Sequence, residues 1–257
     1  MKLLVLGILS SLIGYENIPY VKVLAAKFGS PQKRKSARYD YLTAKVIQKA
    51  VQPTSVCVDV GCHHGIILGI MMKYCTQGRL FAFEPLPVSY EYLVKKFDVP
   101  NVKIHNLALS DKKGTAKFNY VLKHPAYSGL QKREYPTSNE EVVEITVETD
   151  MLDNILLDIN QKVSLIKIDV EGAELQVLVG AKNIIKRDKP IIIFEYASGG
   201  GGYYGTKPED IYNLLCLESG LKISLLDSWL NGDKPLSEEE FKEQYYEGIN
   251  INFIAYP

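Results

Sequence analysis

The sequence predicts an α/β fold with a mostly parallel sheet covered by helices on both faces. Three observations predict it. From Ser55 to the end of the chain, apolar runs of strand length alternate with segments whose apolar residues recur at helical spacing. Four of those runs close on an acid at corresponding places: Asp59, Glu84, Asp169 and Glu195. An open parallel sheet binds its ligand outside the carboxyl ends of the strands, where strand order reverses, so acids gathered there mark a ligand site. The first run also enters a glycine-bounded turn, "GCHHG" at residues 61–65, immediately before a helical pattern.

The elements follow in order. The opening "MKLLVLGILSSLIGYENIPY" has one lysine, an apolar stretch from Leu3 to Ile13 and small residues behind it, the outline of a secretory signal or membrane-surface anchor over residues 1–14. An ordinary helix is the rival reading. The stretch is shorter than the roughly 18 to 20 residues that span a bilayer. Residues 1–48 read as an N-terminal helical extension and residues 49–257 as one domain, since no Pro/Ser/Gly linker divides the chain. Lys33, Arg34, Lys35 and Arg38 would help the extension hold anionic lipid, so membrane-surface contact through residues 1–38 is allowed; a solvated loop is the plainer alternative.

"SVCVDV", "RLFAFEP" and "VKIHNLALS" are the next strands, with "IILGIMMKYC" and "VSYEYLVKKF" as the helices between them and Gly78 expected to close the first helix. Two β-rich runs, "GTAKFNYVL" and "EVVEITVET", flank a polar segment from Lys123 to Glu140 that reads as a lid or insertion. "VSLIKIDV", "ELQVLVGAKNII", "PIIIFEY", "PEDIYNLLCLESG", "LKISLLD" and "NINFIAY" complete the alternation. Tyr196, Tyr203 and Tyr204 bracket the glycine run Gly199–Gly202 and are expected to form a mobile acceptor loop, because aromatic faces stack on sugar rings.

Thirty basic residues balance thirty acidic ones, which removes any general electrostatic drive toward nucleic acid or toward acidic membranes and leaves a small, local ligand. Cys57, Cys62, Cys75 and Cys216 lack zinc-like pairing and fit a reducing cytoplasm. His63 and His64 find no third ligand at metal-site spacing, so no zinc site is expected.

The turn narrows the ligand. Its G-x-x-x-G spacing is not the G-x-G-x-x-G of a dinucleotide fold, and a P-loop lysine is missing. Glu84 follows Asp59 by 25 residues, near the roughly 20-residue offset at which an acid meets ribose hydroxyls. A nucleoside without phosphates fits both. The motifs "VDVGCHHG", "FAFEP", "NLALSDKKGTAKF", "DMLDNI", "LIKIDVEGAELQVLVGA" and "IIIFE", spread over roughly residues 50 to 200, together resemble the FkbM family of S-adenosylmethionine-dependent methyltransferases. The resemblance implies a Rossmann-like class I methyltransferase fold with a seven-stranded sheet, and O-methylation of a hydroxyl on a sugar, glycan or related natural product.

It also implies roles. Gly61 and Gly65, with Cys62 and His63 between them, would bring the backbone against the methionine part of the cofactor, and Asp59 would accept from its ammonium group. Glu84, followed by Pro85, would hold the ribose, and the loop Leu107–Asp111, with Ala108 and Leu109, would lie against adenine. Asp169 would lie next to the sulfonium. Asp169, Glu171, Glu195 and His124 are the candidates for the base that takes the acceptor proton. Mg2+ held by Asp169, Glu171 and Glu195 is allowed, although the resemblance does not require it. The expected partner is a sugar or glycan and not a nucleic acid, because "DVEG" stands where amino-group methyltransferases carry an Asn/Asp-Pro-Pro-aromatic turn. The alternatives are a methyltransferase of a non-sugar small molecule and a non-catalytic S-adenosylmethionine-binding module, the latter because histidines fill the cofactor turn. Glu84→Gln is expected to weaken cofactor binding and leave folding almost unchanged, since a carboxylate at an open strand end contributes little to a core.

Overall fold

A computed structural model describes residues 9–132, 140–197 and 201–257. Its helices are α1 (Ile18–Ala26), α2 (Pro31–Ala50), α3 (Ile66–Tyr74), α4 (Pro87–Lys96), α5 (Leu152–Ile155), α6 (Glu174–Val179), α7 (Lys182–Asp188), α8 (Pro208–Tyr212), α9 (Leu226–Asn231) and α10 (Glu238–Tyr246). Its strands are β1 (Val56–Val60), β2 (Arg79–Phe83), β3 (Val102–His105), β4 (Ala108–Leu109), β5 (Gly114–Val121), β6 (Val142–Asp150), β7 (Val163–Ile168), β8 (Ile191–Glu195), β9 (Lys222–Leu225) and β10 (Asn252–Tyr256).

The main sheet has seven strands in the order β3-β2-β1-β7-β8-β10-β9. All neighbours are parallel except β10, which runs antiparallel to β8 and to β9. Strand order reverses between β1 and β7, because the chain leaves β1 for β2 and β3 and returns to β7 on the other side. The expected mostly parallel seven-stranded sheet with helices on both faces is the fold observed.

β1 is buried along its whole length, as a central parallel strand with covered faces must be. Period-2 alternation sends Val56, Val58 and Val60 into one core, with Phe83, Ile166, Ile168 and Phe194. Cys57 faces the opposite core, with Leu68, Leu80, Leu165 and Ile193. The N-terminal helices close that second core. Helix α2 starts at a Ser30 cap with Pro31 in its first turn, and sets Ala44, Val46 and Ile47 into the core. Gly69 of α3 leaves room for the Tyr15 ring, which a Cβ at that position would strike.

β5 and β6 pair antiparallel and, with β4, form a separate three-stranded sheet. Three local expectations need correction. Helix α3 ends at Tyr74, and Gly78 instead sits where a Cβ would meet the Ser55 carbonyl, so it serves the approach of two backbones. "ELQVLVGAKNII" breaks at Gly180 into α6 and α7, where a Cβ would press on the Ser110 carbonyl. Tyr196 is fully buried, stacks on Tyr245 with ring centroids 4.5 Å apart and donates its hydroxyl to the Thr206 carbonyl, so it belongs to the core and not to an acceptor loop.

Within the other two loop readings, residues 133–139 of the lid segment and Ser198–Gly200 of the glycine run lie outside the described residues, as do residues 1–8 of the signal or anchor reading. Among the described residues no helix is long and apolar enough to cross a membrane.

Candidate active site

Two clefts meet at the carboxyl edge of the sheet, at the point where strand order reverses. The first opens beside the ends of β1 and β2 and reaches to the loop after β7. Its floor comes from the strand ends, Val60, Gly61, Phe83, Glu84, Leu107, Ala108 and Leu109. Its far wall is Pro125, Ala126, Ser128 and Leu130, which follow β5. The second cleft lies between the N-terminal helices and the same sheet edge, and its lining includes Lys22, Tyr39, Thr43, Lys167 and Glu195. Asp169 and Glu171 line both.

The turn after β1 is tied down by its neighbour. The N–H groups of Gly61 and Cys62 donate to the Phe83 carbonyl at 3.0 and 3.2 Å. Gly61, His63 and Gly65 all have left-handed backbones, with φ of 74°, 46° and 73°. The missing side chains of both glycines also make room within the protein. A Cβ on Gly61 would run into the Asp169 carbonyl, and one on Gly65 into the rings and methyls of Phe97 and Leu93. Their missing side chains admit β7 and α4, and only Gly61 of the two lines the first cleft.

Glu84 accepts from the N–H of His63 at 2.8 Å and from the N–H of Leu86 at 3.0 Å, one bond to each carboxylate oxygen. It is 4% exposed yet lines the cleft. Burial pushes its pKa up to about 7, against the lowering effect of the two N–H bonds and with Asp59 adding repulsion. Each oxygen keeps a lone pair for a ribose hydroxyl. The expectation that Glu84 is structurally idle is therefore wrong, because this carboxylate joins the turn after β1 to the start of α4.

His63 is held neutral, its pKa lowered to about 4 by burial and then by His64, whose ring stacks on it at 3.6 Å between centroids. Its Nε2 is buried without a hydrogen-bond partner and its residue lines the first cleft, so a polar ligand atom there would complete it. Pro85, Ala108 and Leu109 line the same cleft, with Phe118 and Leu86 adding apolar surface for a flat ring system. A cleft-facing carboxylate, an imidazole nitrogen without a partner and an apolar slot are groups that would suit a nucleoside such as the S-adenosyl group.

Asp59, Cys62 and His124 lie elsewhere. Asp59 is fully buried and lines neither cleft. It pairs in register with Lys167 across β1 and β7, and burial raises its pKa to about 6 against the pull of Lys167. Neither of its oxygens has a partner of good hydrogen-bond geometry. Cys62 points into the core. His124 pairs with Glu140 at 2.6 Å and lines neither cleft, so it stands apart from the other three proposed bases.

Those three do converge. Asp169, Glu171 and Glu195 line the second cleft together with Lys167, a residue the pattern reading passed over because a lysine inside "LIKID" looks like a strand interruption. Lys167 donates to Asp169 Oδ2 at 3.0 Å. Burial alone would depress its ammonium, but Asp169 and Asp59 override that and hold it above the ordinary lysine range. Glu195 is pushed well above the ordinary carboxylate range, by burial first and then by Asp169, Glu171 and Glu174. Glu174 was missed too. It is buried at the start of α6 and its Oε1 accepts from the N–H of Val170 and of Gly172, at 3.2 and 3.1 Å. It thereby holds a loop in which Glu171 has φ 60° and Gly172 φ 113°. The signal for it was present in "EGAE", an acid in the first turn of a helix. Among the described residues no three His, Cys, Asp or Glu side chains form a metal-holding group.

Comparison with known proteins gives this geometry a family. The model of the methyltransferase FkbM domain matches residues 59–220, well over half the chain. The methyltransferase sdnD of Sordaria araneosa is 30% identical over 152 residues, covering 48% of this chain and 59% of that protein. The chain thus spans about three fifths of that relative's length. The 2-O-methyltransferase NoeI of Sinorhizobium fredii is 24% identical over 170 residues, covering 60% of this chain and 68% of that protein. The crystal structure of methyltransferase FkbM from Methylobacillus flagellatus KT aligns with a TM-score of 0.49 at 15% identity, over 93% of this chain and 59% of that one. On the extent of the domain match, the chain belongs to the FkbM family of S-adenosylmethionine-dependent methyltransferases.

Proposed function

We propose that the protein transfers a methyl group from S-adenosylmethionine to a hydroxyl of a sugar, glycan or related natural product. One observation carries the reading: Asp169 and Glu171 stand on the wall shared by the first cleft and a second cleft that carries Lys167 and Glu195. A donor in one and an acceptor in the other would meet there. The sugar class is supported by the polar lining of the second cleft, which includes Gln32, Ser36, Tyr39, Thr43 and Asn252, and by the name of the 2-O-methyltransferase relative.

When bound, the cofactor supplies an electrophilic methyl on a sulfonium. Holding donor and acceptor at attack distance is then the protein's largest contribution. Glu84 and the cleft of Phe83, Leu107 and Leu109 would hold the nucleoside, and the Asp169 loop would set the donor against the acceptor cleft. A sugar hydroxyl is nearly as weak an acid as water, with a pKa of roughly 16, so a base must receive its proton as the new bond forms. Glu195 suits this best. It faces only the acceptor cleft, and a carboxylate raised above its ordinary range is the stronger base. Asp169, already bonded to Lys167, is better placed to orient the hydroxyl.

The test is calorimetric titration with S-adenosylhomocysteine, followed by measurement of S-adenosylhomocysteine release from S-adenosylmethionine across a panel of mono- and oligosaccharides. Saturable binding and release with at least one sugar are expected. No binding at millimolar ligand would overturn the cofactor assignment, and binding without turnover on any hydroxyl acceptor would favour a non-catalytic module.

A further inference from the structure

Helix α1 has two dissimilar faces. Lys22, Ala25 and Ala26, with Gly29 just beyond, line the acceptor cleft. On the other side Tyr20, Val21 and Leu24 follow each other at i, i+1 and i+4 and are exposed, and Phe28, in the turn just beyond the helix and at the rim of the same cleft, is 99% exposed. A lone exposed apolar residue needs no explanation, but three on one helix with a fully exposed phenylalanine in the turn after it do. Lys27 lies on the edge of this apolar stripe and is exposed. Lys33 and Arg34, both exposed, begin α2 directly after the turn that carries Phe28, Lys33 standing at the rim of the cleft and Arg34 outside it.

Charge is distributed to match. Residues 1–50 hold nine lysines and arginines against two acids, Glu16 and Asp40, an excess of seven positive charges. The whole chain has thirty of each sign, so the other 207 residues carry seven net negative charges. An apolar helical stripe flanked by basic side chains binds where hydrocarbon and anionic headgroups are found together. A polyanion such as RNA would use the basic residues but leave the stripe without a partner.

We propose that the outward face of α1, with Lys27, Lys33 and Arg34, docks the protein on an anionic membrane surface. The stripe would enter the headgroup boundary, and the opposite face of the same helix would set the mouth of the acceptor cleft beside it. Docking of this kind requires no spanning helix, and it stands whether or not the methyl-transfer reading holds.

Flotation with extruded vesicles tests it. Phosphatidylcholine vesicles and vesicles containing 30% phosphatidylglycerol, roughly the anionic share that gives a strong surface potential, are compared at about 0.1 M salt. The full chain is expected to float with the anionic vesicles and to be released at about 0.5 M salt. Val21→Asp with Leu24→Asp should abolish flotation. Lys27→Glu with Arg34→Glu should lower partitioning at least about tenfold, on a contribution of about fivefold per basic residue. None of these four residues lines either cleft, so an unchanged affinity for S-adenosylhomocysteine reports that the variants remain folded. Failure of the wild type to float with anionic vesicles overturns the proposal. Flotation that survives Val21→Asp with Leu24→Asp also overturns it, and RNA binding by those variants without flotation of the wild type would assign the basic face to a polyanion.

Discussion

Glu84 joins two turns through the N–H groups of His63 and Leu86 and lines the first cleft, the proposed nucleoside site, with the same carboxylate. In Glu84→Gln one oxygen becomes an NH2 group, and that end must confront a backbone N–H with a second donor. Cofactor affinity is expected to fall roughly ten- to a hundredfold, the loss of about 1.5–3 kcal/mol in bonds to a charged group. Melting temperature should fall with it, by about 2–4 °C per kcal/mol for a chain of this size. Titration with S-adenosylhomocysteine and a thermal melt of both proteins check this; a lower affinity at an unchanged melting temperature would mean that the N–H bonds matter little. Glu195 gives a complementary case. Glu195→Gln should lower kcat by roughly 10²–10⁴ and leave S-adenosylhomocysteine affinity unchanged, since the residue lines only the acceptor cleft. The wild-type pH–rate profile should rise through an ionisation above the ordinary carboxylate range, because the raised Glu195 must lose its proton before it can act.

The element that matters most is the loop from Asp169 to Glu174. Asp169 N–H is held by the Val60 carbonyl at 3.1 Å, and the Asp169 carbonyl occupies the space where Gly61 lacks a Cβ. The two catalytic-edge turns therefore depend on each other. Gly61→Ala meets both a left-handed φ of 74° and the Asp169 carbonyl, whereas Gly232→Ala meets only a left-handed φ of 81° in open space. The second substitution should cost about 1–2 kcal/mol, the price of a Cβ in that conformation. The first should cost clearly more and also weaken cofactor binding. Urea midpoints of the two variants give the comparison, and equal losses would show that crowding against Asp169 is relieved without consequence.

At the scale of the molecule, buried acids at the sheet edge make the ligand-free protein sensitive to pH. Asp59 is raised to about 6, and Glu84 and Glu174 to about 7, in each case chiefly by burial. A folded state that binds its protons more tightly than the unfolded chain loses stability as pH rises through the folded pKa. His63 works the other way. Its folded pKa of about 4 lies below its ordinary value, so its contribution grows between about pH 4 and 6.5 and offsets Asp59 there. Above pH 6.5 the histidine effect fades and the carboxylate effect dominates. The melting temperature of the ligand-free protein is expected to fall from pH 6.5 to about 8, while the stabilisation given by saturating S-adenosylhomocysteine grows or holds. A ligand-free melting temperature that is flat or rising across that window would contradict the burial of ionised Glu84 and Glu174.

The alternation of strand and helix, the acids at the strand ends and the "KIDVEGAE" stretch were legible in the sequence, because period and punctuation are local properties that a one-dimensional pattern records. They determined the fold class and the family resemblance. Only the tertiary structure decided how the acids are used. It put Glu84 on the first cleft, Glu195 on the second and Asp169 on both. It also buried Asp59 against Lys167, removed His124 to a pair with Glu140 and took Tyr196 into the core. The reason is physical. Which side of a strand end a carboxylate faces, and whether a glycine makes room for a ligand or for another backbone, depends on neighbours dozens to hundreds of residues away. Lys167 shows this most clearly: it breaks the apolar pattern of its own strand, and only the register with Asp59 and the bond to Asp169 reveal it as the counter-charge of the site.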